Sequence, residues 1–174
     1  MDSMKIKMTE FPGEREWMGV KERALVTVGK SLKNPPSLEW KQLILRARHS
    51  PIRYLTFSFA MEVPYYVSVH LVRHIHAQPY VRSQRNDRQT DYDRKSARQD
   101  APVSMIWDMN AEELMVIANK RLCRQADPAT RTVVEEMCRL VVEKCPEFAG
   151  VLVPMCVYNG GECHEMHPCG RDNP

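Results

Sequence analysis

A long polar stretch near the middle of the chain most limits what the chain can fold into. From Val81 to Pro102 the sequence is dominated by arginine and aspartate, with few apolar side chains to bury. Such a composition predicts a loop, because the segment cannot cover a hydrophobic core. The core must come from the flanking segments, and 43% hydrophobic residues in a chain of 174 residues are enough to fill it.

Before this loop, capping and turn residues predict two helices with a strand between them. A pair of prolines breaks the chain, and Ser37 caps a helix that runs to about residue 48. Residues 53–63 mix aromatic and β-branched side chains in near alternation, which predicts a strand. Pro64 then fits the first turn of an apolar helix that ends before Pro79.

After the loop, two further helix starts are visible. Asn110 and Glu113 form a variant of the capping box, and Asp127 followed by Pro128 supplies a cap and a first-turn proline. These signals predict helices that run to about residues 125 and 145. The fold class is therefore α+β, with an early strand or two and at least four helices.

Composition and charge limit the classes of binding partner to be expected. The formal net charge of +3 is small, and no long run of lysine and arginine is present, so we expect no nucleic-acid partner. No apolar stretch has the length of a membrane span or the pattern of a signal peptide. We therefore expect a cytoplasmic protein with reduced cysteines and no membrane partner.

Arginine and histidine meet at the end of the second predicted helix. Arg73 and His74 come directly before a turn, and Ser83 follows with Arg82 and Arg85 around it. A guanidinium and an imidazole beside a basic loop suit a phosphate or an anionic ring. The alternative is a solvated basic loop with His74 satisfied in the core, and the pattern alone favours neither.

Four segments resemble the flavin-dependent thymidylate synthase (thymidylate synthase complementing protein) family. RHIHAQPYVRS resembles the family motif of RHR, seven residues and S, with Ile75 in place of the second arginine. RARHSPIRY is similar to the family string HG-H-x-SPFEH, and VPYYVSVHLVRH to the helix that leads into the motif. IWDMNAEELMVIANKR is similar to a later helix with an Asn-Ala start. The segments keep the family order over roughly residues 20–148.

The resemblance implies a fold and an activity. The fold would be a short form of the family fold, a central antiparallel sheet with helices packed on it. It would form one domain over residues 1–150, with a Cys/His-rich tail over residues 151–174 packed on the same domain. The activity would be transfer of a methyl group from methylenetetrahydrofolate to dUMP, forming dTMP, with FAD as hydride carrier and NADPH as reductant. Family sites form between subunits, which implies a homotetramer.

The resemblance also implies site residues. Those that would bind the cofactor are Ser50, Arg73, His74, Ile75, Asn110 and Glu112. Those that would bind the nucleotide are His70, Ser83, Gln84, Arg85, Arg98 and Arg121. Arg121 would polarise the uracil ring, because a permanent cation stabilises negative charge that develops there. Ser83 would be a nucleophile or a positioning group, and the absence of an adjacent activating base favours positioning.

Several residues depart from the family pattern. Ile75 replaces the second motif arginine, His70 a glutamine, and Val81 the glutamate of an Asn-Glu pair, while Arg53 replaces a glutamate. These changes leave two alternatives open. One is a related flavin- and folate-dependent modification with another carbon unit or pyrimidine, and the other is a zinc-stabilised, non-catalytic binding protein of the same fold.

The tail suggests a metal site that the family pattern does not include. Cys156, Cys163 and Cys169 surround two histidines, and His167 is a candidate fourth ligand beside His164 and Cys123. Thiolate and imidazole ligands on a glycine-containing loop suit tetrahedral zinc. The alternatives are free cysteines in a flexible tail or, less in keeping with the spacing, an iron–sulfur cluster. Two other cysteines, at positions 138 and 145, share one helix face and fit a core.

Overall fold

Four strands and six α-helices make up the part of the chain that the computed structural model describes, which is residues 4–83, 85, 93 and 95–170. The strands are β1 (Lys5–Glu10), β2 (Thr56–Pro64), β3 (Gln78–Val81) and β4 (Pro102–Asn110). The helices are α1 (Glu14–Val26), α2 (Leu38–Arg46), α3 (Tyr65–Leu71), α4 (Ala111–Arg121), α5 (Pro128–Lys144) and α6 (Met155–Tyr158). Two short 3₁₀ helices cover Ser50–Tyr54 and Pro146–Phe148.

The sheet is antiparallel, with the strand order β1-β2-β4-β3, and β2 with β4 forms its centre. Their apolar residues stand opposite one another and are buried, and the pairs are Phe57 with Met109, Phe59 with Trp107, Met61 with Met105, and Val63 with Val103. Because side chains alternate along a strand, one face of the sheet collects all eight. The predicted α+β fold with a central antiparallel sheet is confirmed.

Phe148 joins the sheet to the first helix. Its ring lies edge-on to Phe57 with the centroids 5.3 Å apart, and it lies 6.2 Å from the ring of Trp17. The buried indole N–H of Trp17 donates to Oε1 of Glu147 at 2.6 Å. Burying an aromatic ring of this size contributes roughly 1.5–3 kcal/mol, so this contact fixes α1 against the 3₁₀ turn that follows α5.

Three helix starts follow the sequence prediction. The side chain of Ser37 accepts from the backbone N–H of residue 40 at 3.2 Å, Asn110 from that of residue 113 at 3.0 Å, and Asp127 from that of residue 130 at 2.8 Å. Each such cap is worth about 1 kcal/mol. None of the helices in the described ranges is long and apolar enough to span a membrane.

Two strand predictions need correction. The strand predicted over residues 53–63 begins later, at Thr56, because Ser50–Tyr54 form a 3₁₀ helix around Pro51. The sequence analysis also missed β4, although its buried residues recur at every second position. Their alternation of valine, methionine and tryptophan is the signal that could have found the strand.

The helix predicted to end before Pro79 stops much earlier, at Leu71. Residues 72–77 form turns instead, because tertiary contacts of His74 hold them, and those contacts lie outside any local pattern. Pro79 then lies in β3, which pairs only with β4 and is an edge strand among the described strands. An edge position tolerates proline, since the missing N–H faces away from the ladder.

We expect the two buried thiols to resist modification in the native protein. Burial raises the pKa of Cys138 and of Cys145 to about 12, and the thiolate is the reactive form. Iodoacetamide at neutral pH should therefore label exposed Cys163 and spare these two, as measured by peptide mass spectrometry. In denaturant all six cysteines should react. Native labelling of Cys138 as fast as that of Cys163 would contradict the packing described.

Candidate active site

The turn after α3 directs His74 into the protein. The backbone N–H of His74 donates to the carbonyl of Leu71, and that of buried Ala77 donates to the carbonyl of His74, both at 3.1 Å. The His74 side chain is 10% exposed, whereas its neighbour Ile75 is 82% exposed. Arg73 is also exposed. The motif therefore splits, with its histidine inside and its flanking residues on the surface.

His74 lies between Arg121 and Glu113, which α4 supplies from its two ends. Nε of Arg121 donates to Nε2 of His74 at 2.9 Å, and a terminal nitrogen of the same guanidinium donates to the carbonyl of His70 at 3.0 Å. Oε1 of Glu113 lies 3.5 Å from Nδ1 of His74, with Glu113 buried and the His74 side chain largely so. Two predicted site residues, His74 and Arg121, thus contact each other directly.

Burial changes the proton affinity of all three groups. It lowers the pKa of His74 to about 4, helped by the positive charge of Arg121, so the imidazole is neutral near pH 7. Burial also lowers the pKa of Arg121, with Arg73 as the second cause, and raises the pKa of Glu113. The site therefore holds a half-buried cation against a neutral acceptor.

His70 contributes its backbone to this cluster and its ring to another contact. Nδ1 of His70 lies 2.9 Å from Oγ1 of Thr130, whose hydroxyl donates to Asp127 at 2.9 Å. A hydroxyl has one proton, so the ring nitrogen is the donor in the first of these contacts. The ring is thereby held against the start of α5, while its carbonyl holds Arg121.

A cleft of about 530 Å³ opens beside the cluster. Its lining residues are Arg48, Arg53, His76, Asn110, Glu112, Glu113 and Val116. Two of the predicted cofactor residues, Asn110 and Glu112, are therefore in one cleft with Glu113. A larger concavity of about 610 Å³ lies over the sheet and includes Ala60, Tyr80 and Ile106. It is shallow and includes none of the buried ionisable groups, so the smaller cleft is the better candidate.

Arg48 on the cleft wall is held in an unusual conformation. Its φ of 51° lies in the left-handed region, which costs a residue with a side chain roughly 1–3 kcal/mol. Its guanidinium donates to Asn119 and, at 3.2 Å, to the hydroxyl of Tyr158, whose ring centroid lies 4.5 Å away. Helix α6 and α4 thus fix this cation together.

Arg53 and Glu112 form an ion pair on the same cleft. Nε and one terminal nitrogen of Arg53 donate to the two carboxylate oxygens of Glu112, so the contact is bidentate. The hydrogen bond and charge of Glu112 raise the pKa of Arg53. A carboxylate predicted to face the cofactor is therefore already neutralised by a residue that departs from the family pattern.

The remaining predicted nucleotide residues come from the end of β3 and the polar loop after it. Ser83 follows β3 and accepts from the backbone N–H of Arg85 at 3.3 Å. Arg98 is exposed and pairs with Asp100 at 2.9 and 2.8 Å. Between described residues, no hydrogen bond or ion pair joins Ser83, Arg98 or Ser50 to Arg121. Gln84 lies outside the described residues.

The tail contains the residues that the sequence predicts to bind a metal ion. Among residues 4–83, 85, 93 and 95–170, no group of three or more His, Cys, Asp or Glu side chains could hold a metal ion. Cys156 lies on α6, and the two glycines that follow that helix have φ of 72° and 103°, turning the chain before Cys163. The carbonyl of His167 accepts instead from Gln125 at 2.9 Å. The zinc site predicted at Cys156, Cys163, Cys169 and His167 stays a prediction.

Sequence reasoning missed Glu113 and Arg48 as site residues. Glu113 was assigned to the capping box, where it is indeed N3, but its side chain turns to His74 rather than to the helix start. Arg48 lies in the segment that resembles the family, yet its role depends on Tyr158, 110 residues later. Such long-range pairing has no local signal.

Comparison with protein-family models gives a match in the second half of the chain. Residues 94–147 match the model of the thymidylate synthase complementing protein family. This range includes β4, α4 and α5, and with them Asn110, Glu113 and Arg121. A comparison with curated proteins gave no match.

Comparison with solved structures supports the fold over most of the chain. The UMP/dUMP methylase PolB from Streptomyces cacaoi bound with 5-Br dUMP has a TM-score of 0.68 at 15% identity, covering 87% of this chain and 97% of that one. Its complex with 5-Br UMP has a TM-score of 0.66 at 14% identity, covering 88% and 97%. The chain thus has the α+β fold of this methylase. The match over residues 94–147 and the shared fold both agree with the predicted resemblance to the thymidylate synthase complementing protein family.

His74 should remain neutral well below its ordinary pKa, and this affects stability with a defined sign. Its pKa is about 4 in the folded state against 6.5 otherwise, so on acidification the unfolded chain takes up the proton first. The contribution of His74 to the free energy of unfolding should be fully present above pH 6.5. It should be lost as the pH falls towards 4, by at most about 3 kcal/mol. The titration of the His74 ring proton by NMR measures the pKa directly.

The control for this titration is the variant His74→Asn, which assigns the resonance and removes the group. Glu113, whose pKa is raised above 4.5, contributes with the opposite sign over the pH range just above 4.5. The quantity to compare is therefore the difference between wild type and variant in the free energy of unfolding at each pH. A His74 midpoint near 6.5 would contradict the buried arrangement.

Proposed function

We propose that this protein is an FAD-dependent enzyme that transfers a methyl group from methylenetetrahydrofolate to dUMP, forming dTMP, with NADPH as reductant. The observation that carries the proposal is the anchored guanidinium of Arg121, on the helix that matches the family model. A methylase with the same fold that binds brominated uridine nucleotides supports a uracil ring as the substrate.

Arg121 has the properties that polarisation of a uracil ring requires. Two of its nitrogens are fixed by His74 and by the carbonyl of His70, and its other N–H groups have no hydrogen-bond partner among the residues that the structure describes. A donor held in place before reaction stabilises developing negative charge without the cost of reorganising. Because burial lowers the water content around Arg121, its charge acts more strongly than it would in solvent.

The cleft beside this cluster has donors that suit FAD. Arg48 and His76 supply positive or polar N–H groups, and Asn110 supplies an amide at the start of α4, where a helix attracts anions. These residues would hold the diphosphate and the polar edge of the flavin. When bound, FAD would supply the hydride that completes the methyl group. Glu112 is paired with Arg53, so it would contact the cofactor through the ion pair.

Ser83, Gln84, Arg85 and Arg98 would bind the nucleotide from the polar loop. Arg98 is paired with Asp100, and we propose that a nucleotide phosphate competes for this guanidinium. We also propose a homotetramer in the cytoplasm. Subunit contact would bring loop residues such as Ser83 and Arg98 to the cluster, since no hydrogen bond between described residues joins either of them to Arg121.

The second candidate keeps the flavin and folate chemistry and changes the substrate. The structurally similar methylase is described for both UMP and dUMP. Arg53, which stands where the family string has a glutamate, pairs with Glu112 at the cleft, and Val81 stands where the family has a glutamate next to the motif. These differences favour a test in which several uridine nucleotides compete in one reaction.

Product analysis tests the function directly. We expect the purified protein to carry a flavin absorption spectrum and to form dTMP from dUMP, methylenetetrahydrofolate and NADPH under anaerobic conditions. Mass spectrometry of a mixture of dUMP and UMP identifies the preferred ring and the added mass. A methylated UMP product would favour the second candidate, and a colourless protein that binds no added FAD would exclude both.

Replacing Arg121 should lower turnover more than nucleotide affinity. Arg121→Lys keeps a positive charge but loses the fork that bonds His74 and His70, so we expect kcat to fall about 10²–10³-fold with a smaller change in KM. The matched control is Arg139→Lys on α5, whose exposed pairs with Glu136 and Glu143 contribute little. Equal kinetics for the two variants would contradict a role of Arg121 in the reaction.

A further inference from the structure

Glu113 is a buried carboxylate for which the proposed reaction has no stated use. It is 5% exposed and lies in the first turn of α4, between His74 and the cleft. An acidic side chain here could simply favour the helix start, which is worth about 0.3–1 kcal/mol. Exposure would serve that role better, and neighbouring Glu112 already provides an acidic side chain in the same turn. The burial of Glu113 therefore needs another reason.

The proton inventory of the cluster supplies that reason. Arg121 is a donor at every nitrogen, and its Nε–H points at Nε2 of His74, which must accept. A neutral imidazole has one N–H, so the proton of His74 is on Nδ1. The group that faces Nδ1 is Oε1 of Glu113. A carboxylate oxygen 3.5 Å from Nδ1 favours a proton on that nitrogen.

The other tautomer would break the anchor of Arg121. With the proton on Nε2, two N–H groups would face each other at 2.9 Å, and the guanidinium would have to turn away. Its other hydrogen bond within the described residues is the one to the carbonyl of His70. One hydrogen bond fixes a position but does not fix the plane of the guanidinium, so Arg121 would lose its orientation.

We propose that Glu113 is a positioning residue that holds His74 in the Nδ1–H tautomer and thereby orients Arg121 towards the substrate. The inference rests on the proposed role of Arg121 in the reaction, and it adds a residue that acts through His74 without touching the substrate ring. Other charged groups near the cluster are Arg73, His76 and Glu112. None of them is the group that faces Nδ1 of His74.

The tautomer can be observed without any assay of activity. In protein labelled with ¹⁵N-histidine, long-range ¹H–¹⁵N correlation spectra distinguish Nδ1–H from Nε2–H, and His74→Asn assigns the signals. We expect the wild type to show Nδ1–H for His74 at pH 7. Glu113→Gln should keep it, because the amide oxygen still accepts, whereas Glu113→Ala should shift His74 towards Nε2–H.

Kinetics separate positioning from a structural role. We expect Glu113→Ala to lower kcat about 10–100-fold, as for other residues that orient a functional histidine, with a smaller change in KM for the nucleotide. Glu113→Gln should restore most of kcat. The matched control is Glu39→Ala, which removes an exposed acidic side chain from the first turn of α2 and should change neither readout.

The outcomes are distinguishable from those of the proposed function. An Nε2–H tautomer in the wild type overturns the inference, and so does a folded Glu113→Ala variant with unchanged tautomer and kcat. If Glu113→Ala does not fold, the wild-type tautomer and the kinetics of Glu113→Gln still decide. If the wild type shows Nδ1–H but modifies no uridine nucleotide, the proposed function fails while the selection of the tautomer stands.

Discussion

Arg121 on α4 is a permanent cation that is partly buried, and hydrogen-bond acceptors must offset the cost of removing its charge from water. A buried charge without partners costs several kcal/mol, so the positions of its acceptors are constrained as strongly as those of core residues. Among the described residues two acceptors meet this need: the carbonyl of His70 near the end of α3, and the imidazole of His74 in the turn that follows it. The end of α3 and the turn after it are therefore part of the structure around Arg121.

Elements held by local contacts were the ones that the sequence predicted well. Ser37, Asn110 and Asp127 cap their own helices through contacts three residues away, so a local pattern is sufficient to find α2, α4 and α5. The apolar residues of β2 and the fold class followed from the same kind of local information. β4, which pairs with β2, also has buried residues at every second position, so its pattern too is local.

The candidate site was less predictable, since its contacts join residues far apart in sequence. His74 and Arg121, both named from the family resemblance, are 47 residues apart and meet directly. The early end of α3 and the role of Glu113 both follow from that contact, and neither leaves a trace in helical periodicity. Glu113 fits the capping pattern in sequence, and that pattern gives no indication that its side chain faces His74.

The cleft wall shows the same dependence on distant contacts in its backbone. Arg48 keeps a left-handed φ of 51° although it is not glycine, and such a conformation persists where surrounding contacts determine it. Those contacts come from Asn119 and Tyr158, and Asn119 also donates to the carbonyls of residues 151 and 153, where the tail begins. Asn119 and Arg121 are two residues apart on α4. The helix that orients the guanidinium thus also fixes the tail and, through it, the cation on the cleft wall.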